Sequence, residues 1–185
     1  MNSFARALAC AALVLSCMLP ASAQSPLPKP DHVVIVIEEN HAFSQIIDSP
    51  AAPYLNELAR KGAVLTNSYA VTHPSQPNYI ALFAGTFEGV HGNTCPNLLT
   101  TSNLSSTLAL AGYSFIGYAE DLPAVGAVEC ISGAYARKHN PWVNWQSSPI
   151  NTVAPEQNRP LSDFPADFST LPTVSIIIPN QQNDM

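Results

Sequence analysis

The sequence predicts an α/β fold in which helices sandwich a mostly parallel sheet. Two runs of mainly β-branched apolar residues, 32–37 and 173–178, have the unbroken character of strands buried on both faces of such a sheet. Between them, segments with helix start and stop signals alternate with segments that resemble strands. Because parallel strands need crossover connections, this alternation favours a parallel sheet.

The composition is that of a globular domain without a basic surface. The chain has 185 residues, of which 46% are hydrophobic and 11% are charged, and this length supports one domain with a sizeable core. Its formal net charge is −6 with only 7 lysines and arginines, which excludes a broad basic face for nucleic acid or an anionic membrane. Any phosphate group would therefore be held by a few local residues.

Residues 1–23 are predicted to be a secretory signal peptide. Arg6 supplies the positive start, residues 7–19 form the short apolar core, and small residues at 21–23 form a cleavage site. A lipoprotein anchored at Cys17 is the weaker alternative. We therefore expect a secreted or periplasmic protein that has no integral membrane segment after cleavage.

Downstream of the cleavage site we expect a proline-rich leader, 24–31, and one domain, 32–185. Signal cleavage leaves two cysteines, Cys95 and Cys130. No CxxC or CxxH pattern accompanies them, so they do not resemble metal ligands. In an exported chain they most simply form one disulfide bond.

The first predicted strand, 32–37, ends in the polar stretch 38–41. Polar residues at the carboxyl end of a buried strand lie where open α/β sheets bind ligands. A helix is predicted to start near Pro53, because apolar residues then recur at helical spacing, and Gly62 supplies its stop signal.

A second strand is predicted at 63–70, and it leads into the octet Thr-His-Pro-Ser-Gln-Pro-Asn-Tyr at 72–79. Ser75 lies between two prolines just before a helix predicted over 77–84, where backbone N–H groups are free to face an anion. Proline fits the first turn of that helix because the N–H that it lacks would have no partner there. The octet alone fits both a nucleophilic serine and an ordinary turn before a buried helix.

The remaining chain supplies two more predicted strands. Asn103 is expected to cap a helix that Gly112 ends, and a third strand follows at 113–118. Residues 119–172 contain seven prolines and are expected to be mostly irregular, which in a compact domain indicates either a functional region or short elements that the pattern does not reveal. The fourth strand is predicted at 173–178.

Three of the predicted strands place polar side chains at one edge of the sheet. Residues 38–40 follow the first strand, Ser75 follows the second, and residues 180–184 follow the fourth. Carboxylate, amide and hydroxyl oxygens suit a hard divalent cation better than a soft metal. A cation beside Ser75 would lower the cost of forming an alkoxide. The predicted chemistry is therefore nucleophilic attack by a serine that a divalent metal ion of undetermined identity assists.

Four ordered motifs resemble the bacterial phosphoesterase family. They are Val-Ile-Glu-Glu-Asn-His at 36–41, the octet at 72–79 with Phe-Ala-Gly at 83–85, Tyr-Ala-Arg-Lys-His-Asn-Pro-Trp-Val at 135–143, and Ile-Pro-Asn-Gln-Gln-Asn-Asp-Met at 178–185. That family contains secreted acid phosphatases, including phosphatidylinositol 3-phosphate phosphatases, together with non-specific phospholipases C. The resemblance implies an alkaline-phosphatase-like fold.

The resemblance also implies roles for individual residues. Ser75 is similar to the residue that is phosphorylated in turnover, and Asn78 to one that holds a phosphate oxygen. Glu39 and Asn40 resemble the metal ligands that follow the first strand of the family.

Four more residues are candidates. Lys138 and His139 resemble phosphate-binding or proton-donating groups, and His139 is the expected proton shuttle. His73, beside the serine, is a candidate for substrate binding, although a histidine in such a loop more commonly forms hydrogen bonds within the loop. Asp184 is a candidate metal ligand or a residue that supports one, with a helix N-cap as the alternative.

The sequence departs from the family pattern at its end, because the family motif continues with His-Asp whereas this chain ends at Met185. We therefore expect a domain that is C-terminally incomplete. The implied function is a secreted acid phosphatase that hydrolyses phosphoric monoesters, phosphatidylinositol 3-phosphate among them, through a phosphoserine intermediate. The alternatives are a phosphodiesterase of the phospholipase C type and a truncated, non-catalytic phosphate-binding domain.

Overall fold

The main sheet has four parallel strands within residues 28–184. The computed structural model describes residues 28–184, and the predicted signal peptide lies outside the described residues. The strands are β1 (Val33–Val36), β2 (Phe115–Ala119), β5 (Asn158–Pro160) and β6 (Val174–Ile178), in the spatial order β1-β6-β2-β5. A separate antiparallel pair consists of β3 (Ile131–Ser132) and β4 (Tyr135–Ala136). The predicted α/β class with a mostly parallel sheet is confirmed.

In the part of the chain that the structure describes, four α-helices connect or flank these strands: α1 (Phe43–Ile46), α2 (Pro53–Lys61), α3 (Ser75–Ala84) and α4 (Leu104–Leu110). The predicted helix signals are confirmed for the last three. Gly62 is the C-cap of α2, and the side chain of Asn103 accepts a hydrogen bond from the backbone N–H of Ser106 at 2.9 Å, which caps α4. Within residues 28–184, no helix has the length and apolar character needed to cross a bilayer.

The predicted strand at 63–70 is wrong, because this segment forms turns and irregular backbone. Its apolar side chains are largely exposed: Leu65 is 78% and Tyr69 82% accessible. A strand is stabilised by pairing with a neighbour and packing against a core, and this segment pairs with no strand in the described part of the chain. Apolar content alone therefore did not make it a strand.

The burial predicted for the first strand is also wrong. Among the described strands, β1 pairs only with β6 and so forms an edge of the sheet, and Val36 is 51% exposed. β6 has a similar composition, but it lies between β1 and β2, and Ile176 is fully buried. The position of a strand in the sheet thus decides its burial, and strand order is not visible in a single apolar run.

The region 119–172 contains short elements that the sequence pattern did not reveal. They are β3, β4, β5 and five 3₁₀ turns: Arg137–His139, Trp142–Trp145, Pro155–Gln157, Leu161–Asp163 and Phe168–Thr170. Aromatic residues tie this region to the sheet, since Trp142 packs against Phe83 of α3 and Phe115 of β2. Gly117 of β2 is required for this packing, because a Cβ atom there would lie 2.2 Å from the Trp142 ring.

A fully buried amide, Asn158, holds the same region together through four hydrogen bonds. Its oxygen accepts from Nδ2 of Asn140 at 3.0 Å and from Nε1 of Trp142 at 2.7 Å. Its nitrogen donates to the Ala127 carbonyl at 2.9 Å and to Oε1 of Gln146 at 2.7 Å. Because every donor and acceptor of this side chain is used, the buried amide helps to specify one arrangement of the surrounding segments and leaves no polar atom of its own unsatisfied.

The predicted disulfide bond between Cys95 and Cys130 is confirmed. It closes a loop with a sequence separation of 35 residues, and in the chain-entropy account such a loop corresponds to about 3–4 kcal/mol of stability. We expect the double variant Cys95→Ser/Cys130→Ser to lose about this amount, as measured by urea unfolding. Reduced wild-type protein is the matched control, because it should unfold at the same urea concentration as the variant. An oxidised wild type no more stable than the variant would contradict this expectation.

Candidate active site

A cavity of about 1080 Å³ opens at the carboxyl end of β1. Its walls come from the polar stretch after β1, from the irregular segment 69–74, and from one side of α3 along its length. Among its lining residues are Glu39, Asn40, His73 and Ser75. Asn78 lines it as well, so the structure brings five of the predicted site residues to one cavity, even though the strand expected to deliver Ser75 does not form.

Glu39, His139 and Asp184 form a compact cluster beside this cavity. Each offers one ligand atom, and these three atoms all lie within 4.8 Å of one another. Nδ1 of His139 lies 3.7 Å from Oδ2 of Asp184, and Nε2 contacts Oε1 of Glu39. His139 and Asp184 are 2% and 5% exposed. Two of the predicted metal ligands, Glu39 and Asp184, thus lie in one cluster, and their role as ligands stays a prediction.

The adjacency of β1 and β6 explains why two ligands so distant in sequence meet. The strands are parallel neighbours, so their carboxyl ends lie side by side. Beyond their last paired residues, the backbone N–H of Ile37 donates to the carbonyl of Ile177 at 3.1 Å. The backbone N–H of Glu39 then donates to the carbonyl of Asp184 at 2.8 Å. This last hydrogen bond joins the two loops that carry the carboxylates.

The cluster has the chemistry of a divalent-cation site. Two carboxylates and one imidazole are a donor set that suits ions such as Zn²⁺ or Mn²⁺. Nε2 of His139 is buried and has no hydrogen bond of acceptable geometry within residues 28–184, so a nitrogen ligand is available at the cluster. The residues present therefore fit the divalent ion that the sequence predicts.

His139 reaches the cluster because two other elements hold its 3₁₀ turn. Its ring stacks on Tyr79 of α3, with centroids 5.0 Å apart and an interplanar angle of 18°. Arg137, two residues before His139, is buried. Its Nη1 donates to the Val128 carbonyl at 2.7 Å and its Nη2 donates to the Asn97 carbonyl at 3.1 Å. These contacts anchor the turn to the loop that the disulfide closes.

Sequence reasoning missed two features of this arrangement. It assigned His139 to proton transfer, whereas the structure places its ring between two carboxylates as a candidate ligand. It also passed over Tyr79, which lies four residues after Ser75 and so shares a face of α3 with it. That i, i+4 relation was the available signal. Burial, followed by the nearby charges of Glu39 and Asp184, raises the pKa of Tyr79, so its hydroxyl stays protonated.

Ser75 is the first residue of α3, and its Oγ donates a hydrogen bond to Oε1 of Glu39 at 3.1 Å. The expectation of several free backbone N–H groups around it is wrong. Pro74 and Pro77 have no N–H, and the N–H of Gln76 donates to Oδ1 of Asn93 at 3.0 Å. Among the hydrogen bonds of residues 28–184, none uses the N–H of Ser75, so this N–H is available to an anion.

Glu39 is held in its ionised form. Burial alone would raise its pKa, but the interactions with His139 and Ser75 and the positive charge of Lys138 outweigh burial, so the pKa of Glu39 is lowered. It is therefore a carboxylate at pH values where an unperturbed glutamic acid begins to protonate. The pKa of Glu38, in contrast, is raised by burial and by the charges of Asp184 and Glu120.

Asn78 lines the cavity, but its side-chain oxygen and nitrogen are both hydrogen-bonded to the backbone before Ser75. Its Oδ1 accepts from the backbone N–H groups of Val71 and Thr72, each at 3.0 Å. Its Nδ2 donates to the carbonyls of Thr72 at 2.8 Å and Pro74 at 2.9 Å. Because both atoms are engaged, the geometry supports a role in bracing the loop before Ser75 instead of the predicted contact with phosphate.

The other predicted residues lie around the cluster with looser contacts. Asn40 is exposed, and its Nδ2 lies 3.4 Å from Oε1 of Glu39, so its nitrogen and not its oxygen faces the cluster. His73 is exposed at the cavity wall. Lys138 is half-buried, and its charge acts on Glu39.

The chain is similar to a family model and to several proteins named as phosphatases. The family model described as "Phosphoesterase family" matches residues 45–185. A phosphatidylinositol-3-phosphatase of Mycobacterium tuberculosis is 51% identical over 164 residues, which are 88% of this chain and 54% of that protein. A phosphate-repressible acid phosphatase of Penicillium chrysogenum is 36% identical over 140 residues, 70% of this chain and 34% of that protein. No solved structure matches the chain significantly.

These alignments cover only part of each relative. The chain spans about half of the mycobacterial protein and about a third of the fungal one. An acid phosphatase of Aspergillus fumigatus gives the same proportion, with 35% identity over 150 residues and 33% of its length covered. The matched family segment includes Ser75, His139 and Asp184 and begins after Glu39.

Proposed function

The chain belongs to the phosphoesterase family, and we propose that it hydrolyses phosphoric monoesters through a phosphoserine intermediate on Ser75. The observation that carries this proposal is the hydrogen bond that Oγ of Ser75 donates to Oε1 of Glu39 at 3.1 Å. The same carboxylate belongs to the Glu39–His139–Asp184 cluster. A nucleophile, a proton acceptor and a candidate cation site thus meet at one point of one cavity.

The first step is attack of Oγ of Ser75 on phosphorus. Glu39 accepts the hydroxyl proton as the Oγ–P bond forms, and the bond between phosphorus and the alcohol oxygen breaks, the alcohol leaving with a proton from solvent. Water then attacks the phosphoserine, the P–Oγ bond breaks, and Ser75 recovers its proton as inorganic phosphate departs. A divalent ion held by Glu39, His139 and Asp184 would supply stabilisation of the Ser75 alkoxide and of the phosphoryl charge.

Few protein groups are placed to stabilise the remaining negative charge on the phosphoryl group. The N–H of Ser75, at the first position of α3, is a candidate donor to a phosphoryl oxygen, and Lys138 supplies a cationic side chain whose charge acts on Glu39. His73 at the cavity wall is a candidate for contact with the substrate. The net charge of −6 means that long-range attraction of a phosphate would be weak, so these local contacts carry its recognition.

We propose that the protein is an exported phosphatase. A phosphoinositide that carries a monoester phosphate is its candidate substrate. Support for export comes from the signal-like residues 1–23 and from the Cys95–Cys130 disulfide, a bond typical of oxidising compartments. Support for the substrate comes from the name of the mycobacterial relative and from the cavity volume of about 1080 Å³, which exceeds the need of a phosphate group alone.

The test is a comparison of p-nitrophenyl phosphate with p-nitrophenyl phosphocholine, assayed with the full chain in its oxidised form and added Mn²⁺ or Zn²⁺. We expect turnover of the monoester, and little turnover of the diester. Preferential hydrolysis of the diester would point to a phospholipase C-type phosphodiesterase. Saturable binding of inorganic phosphate without turnover of either ester would point to a non-catalytic phosphate-binding domain. A second comparison, of phosphatidylinositol 3-phosphate with its 4-phosphate isomer, tests the substrate assignment.

A further inference from the structure

The two acids that follow β2, Glu120 and Asp121, have no place in the chemistry proposed above. We infer that they are positioning residues for the cluster, because they fix the turn that carries Asp184. This turn, residues 180–184, is called the Asn180 turn below. The inference rests on the proposed function only in giving Asp184 a role as a metal ligand, and its structural half is testable without any metal.

Three hydrogen bonds join the two acids to the Asn180 turn. Oε2 of Glu120 accepts from the backbone N–H of Asn180 at 2.9 Å, and Oε1 accepts from Nδ2 of Asn183 at 2.8 Å. Oδ2 of Asp121 accepts from Nδ2 of Asn180 at 2.7 Å. Three donors of the turn therefore point at the two carboxylates, and hydrogen bonds to a carboxylate are among the strong ones in proteins.

Asn180 is the centre of the turn. It is 7% exposed, and its Oδ1 accepts from the backbone N–H groups of Gln182 at 2.8 Å and Asn183 at 3.0 Å. Its amide thus links the acids after β2 to the fold of the turn itself. An asparagine that bonds its own backbone two residues on is a standard way of shaping a turn.

The turn ends at the cluster. The carbonyl of Asp184 accepts from the backbone N–H of Glu39 at 2.8 Å, and its carboxylate lies 3.7 Å from Nδ1 of His139. The position of Asp184 is therefore set from two sides, by Glu39 after β1 and by the acids after β2. Since β6 lies between β1 and β2 in the sheet, the polar residues after all three strands form one connected network.

The two acids use their oxygens differently, and this difference provides the test. Asp121 uses one oxygen, so Asp121→Asn keeps an acceptor for Asn180. Asparagine also tolerates the left-handed backbone at this position, where φ is +58°. Glu120 uses both oxygens, so Glu120→Gln sets an amide N–H₂ against a donor of the turn. The charge removed is the same in both variants.

The first readout is hydrogen exchange of the Glu39 amide, measured by NMR without metal. We expect Glu120→Gln to speed this exchange by about tenfold or more, with protection in α3 and β6 unchanged, and Asp121→Asn to leave it unchanged. The control is Glu57→Gln, an exposed glutamate that pairs with Lys61 on α2. Equal exchange in Glu120→Gln and wild type would overturn the inference, as would equal effects of the two acid variants.

The second readout is Mn²⁺ affinity, measured by titration calorimetry. Residues that hold metal ligands in place typically change affinity by about 10–100-fold when altered, and we expect a loss in this range for Glu120→Gln and less than about threefold for Asp121→Asn. If the wild type binds no Mn²⁺, the metal part of the proposed function fails, and the exchange experiment still decides the positioning role.

A double variant guards against a simple folding defect. In wild type, Glu120 accepts from the backbone N–H of Asn180 and from Nδ2 of Asn183. The substitution Asn183→Ala removes the second donor, so the single amide oxygen of Glu120→Gln can accept from the N–H of Asn180 and its NH₂ group no longer opposes another donor. We therefore expect Glu120→Gln/Asn183→Ala to regain protection of the Glu39 amide relative to Glu120→Gln alone, a coupling that additive damage does not produce. Additive loss in the double variant would contradict the inference.

Discussion

Replacing Ser75 with alanine is expected to lower kcat for p-nitrophenyl phosphate by about 10³-fold or more, because the nucleophile is removed and the remaining groups act as one unit around it. The fold should be retained. Ser75 is the first residue of α3 and its side chain has one hydrogen bond, to Glu39, and alanine is the best helix former. Unchanged thermal unfolding would establish that the loss is chemical.

Two further measurements test whether Ser75 itself carries the phosphoryl group. Acid quenching during turnover, followed by peptide mapping, should find phosphate on the peptide that contains Ser75 in the wild type and on no peptide of Ser75→Ala. The matched control is Ser68→Ala, an exposed serine of the preceding irregular segment, which should retain full turnover. Full turnover by Ser75→Ala, or phosphate on a different peptide, would exclude the phosphoserine mechanism.

Replacing Glu39 with glutamine is expected to weaken Mn²⁺ binding by about 10–100-fold or more and to reduce turnover at least in proportion. The variant keeps the size of the side chain and an oxygen that accepts from Ser75, but it removes the negative charge that two functions share. Glu39 contributes a ligand atom to the cluster with His139 and Asp184, and it is the acceptor for the Ser75 proton. Affinity and turnover are measured by calorimetry and by initial rates over a range of Mn²⁺ concentrations.

Glu38→Gln is the matched control for this variant. Glu38 is adjacent in sequence, lies on the same cavity and feels the charge of Asp184, but it is not a member of the cluster. We expect its replacement to change Mn²⁺ affinity by less than about threefold, because a residue outside the cluster acts on the ion only through screened charge. If both variants lose affinity equally, the effect is one of total charge at the strand ends, and the assignment of Glu39 as a specific ligand is wrong.

The site was predictable from the sequence where it depends on strand ends. Glu39 follows a strongly apolar strand and Asp184 follows another, and residues at the carboxyl ends of parallel neighbours converge whatever their distance in sequence. Ser75 was predictable as the residue at the start of a helix. The strand predicted between α2 and Ser75 does not form, yet Ser75 still contacts Glu39, so the placement was right although one element that supported it was not.

Other features of the site depend on contacts that leave no local pattern. His139 is held by stacking on Tyr79 and by the anchoring of Arg137, and neither contact follows from the residues around position 139. Asn78 was expected to bind phosphate because its motif resembles one that does, but the loop uses all of its hydrogen-bonding capacity. Whether an amide faces a ligand or its own loop is decided by how the preceding residues fold back.

The sequence by itself determined the α/β class, the helices that start at Pro53 and after Asn103, and the pairing of the two cysteines, because these depend on neighbouring residues or on the elimination of other partners. Only the tertiary structure decided that β1 is an exposed edge and β6 a buried centre, and that an imidazole lies between two carboxylates. The physical reason is that burial and clustering are properties of the order in which strands and loops assemble, and similar apolar runs acquire different environments from that order.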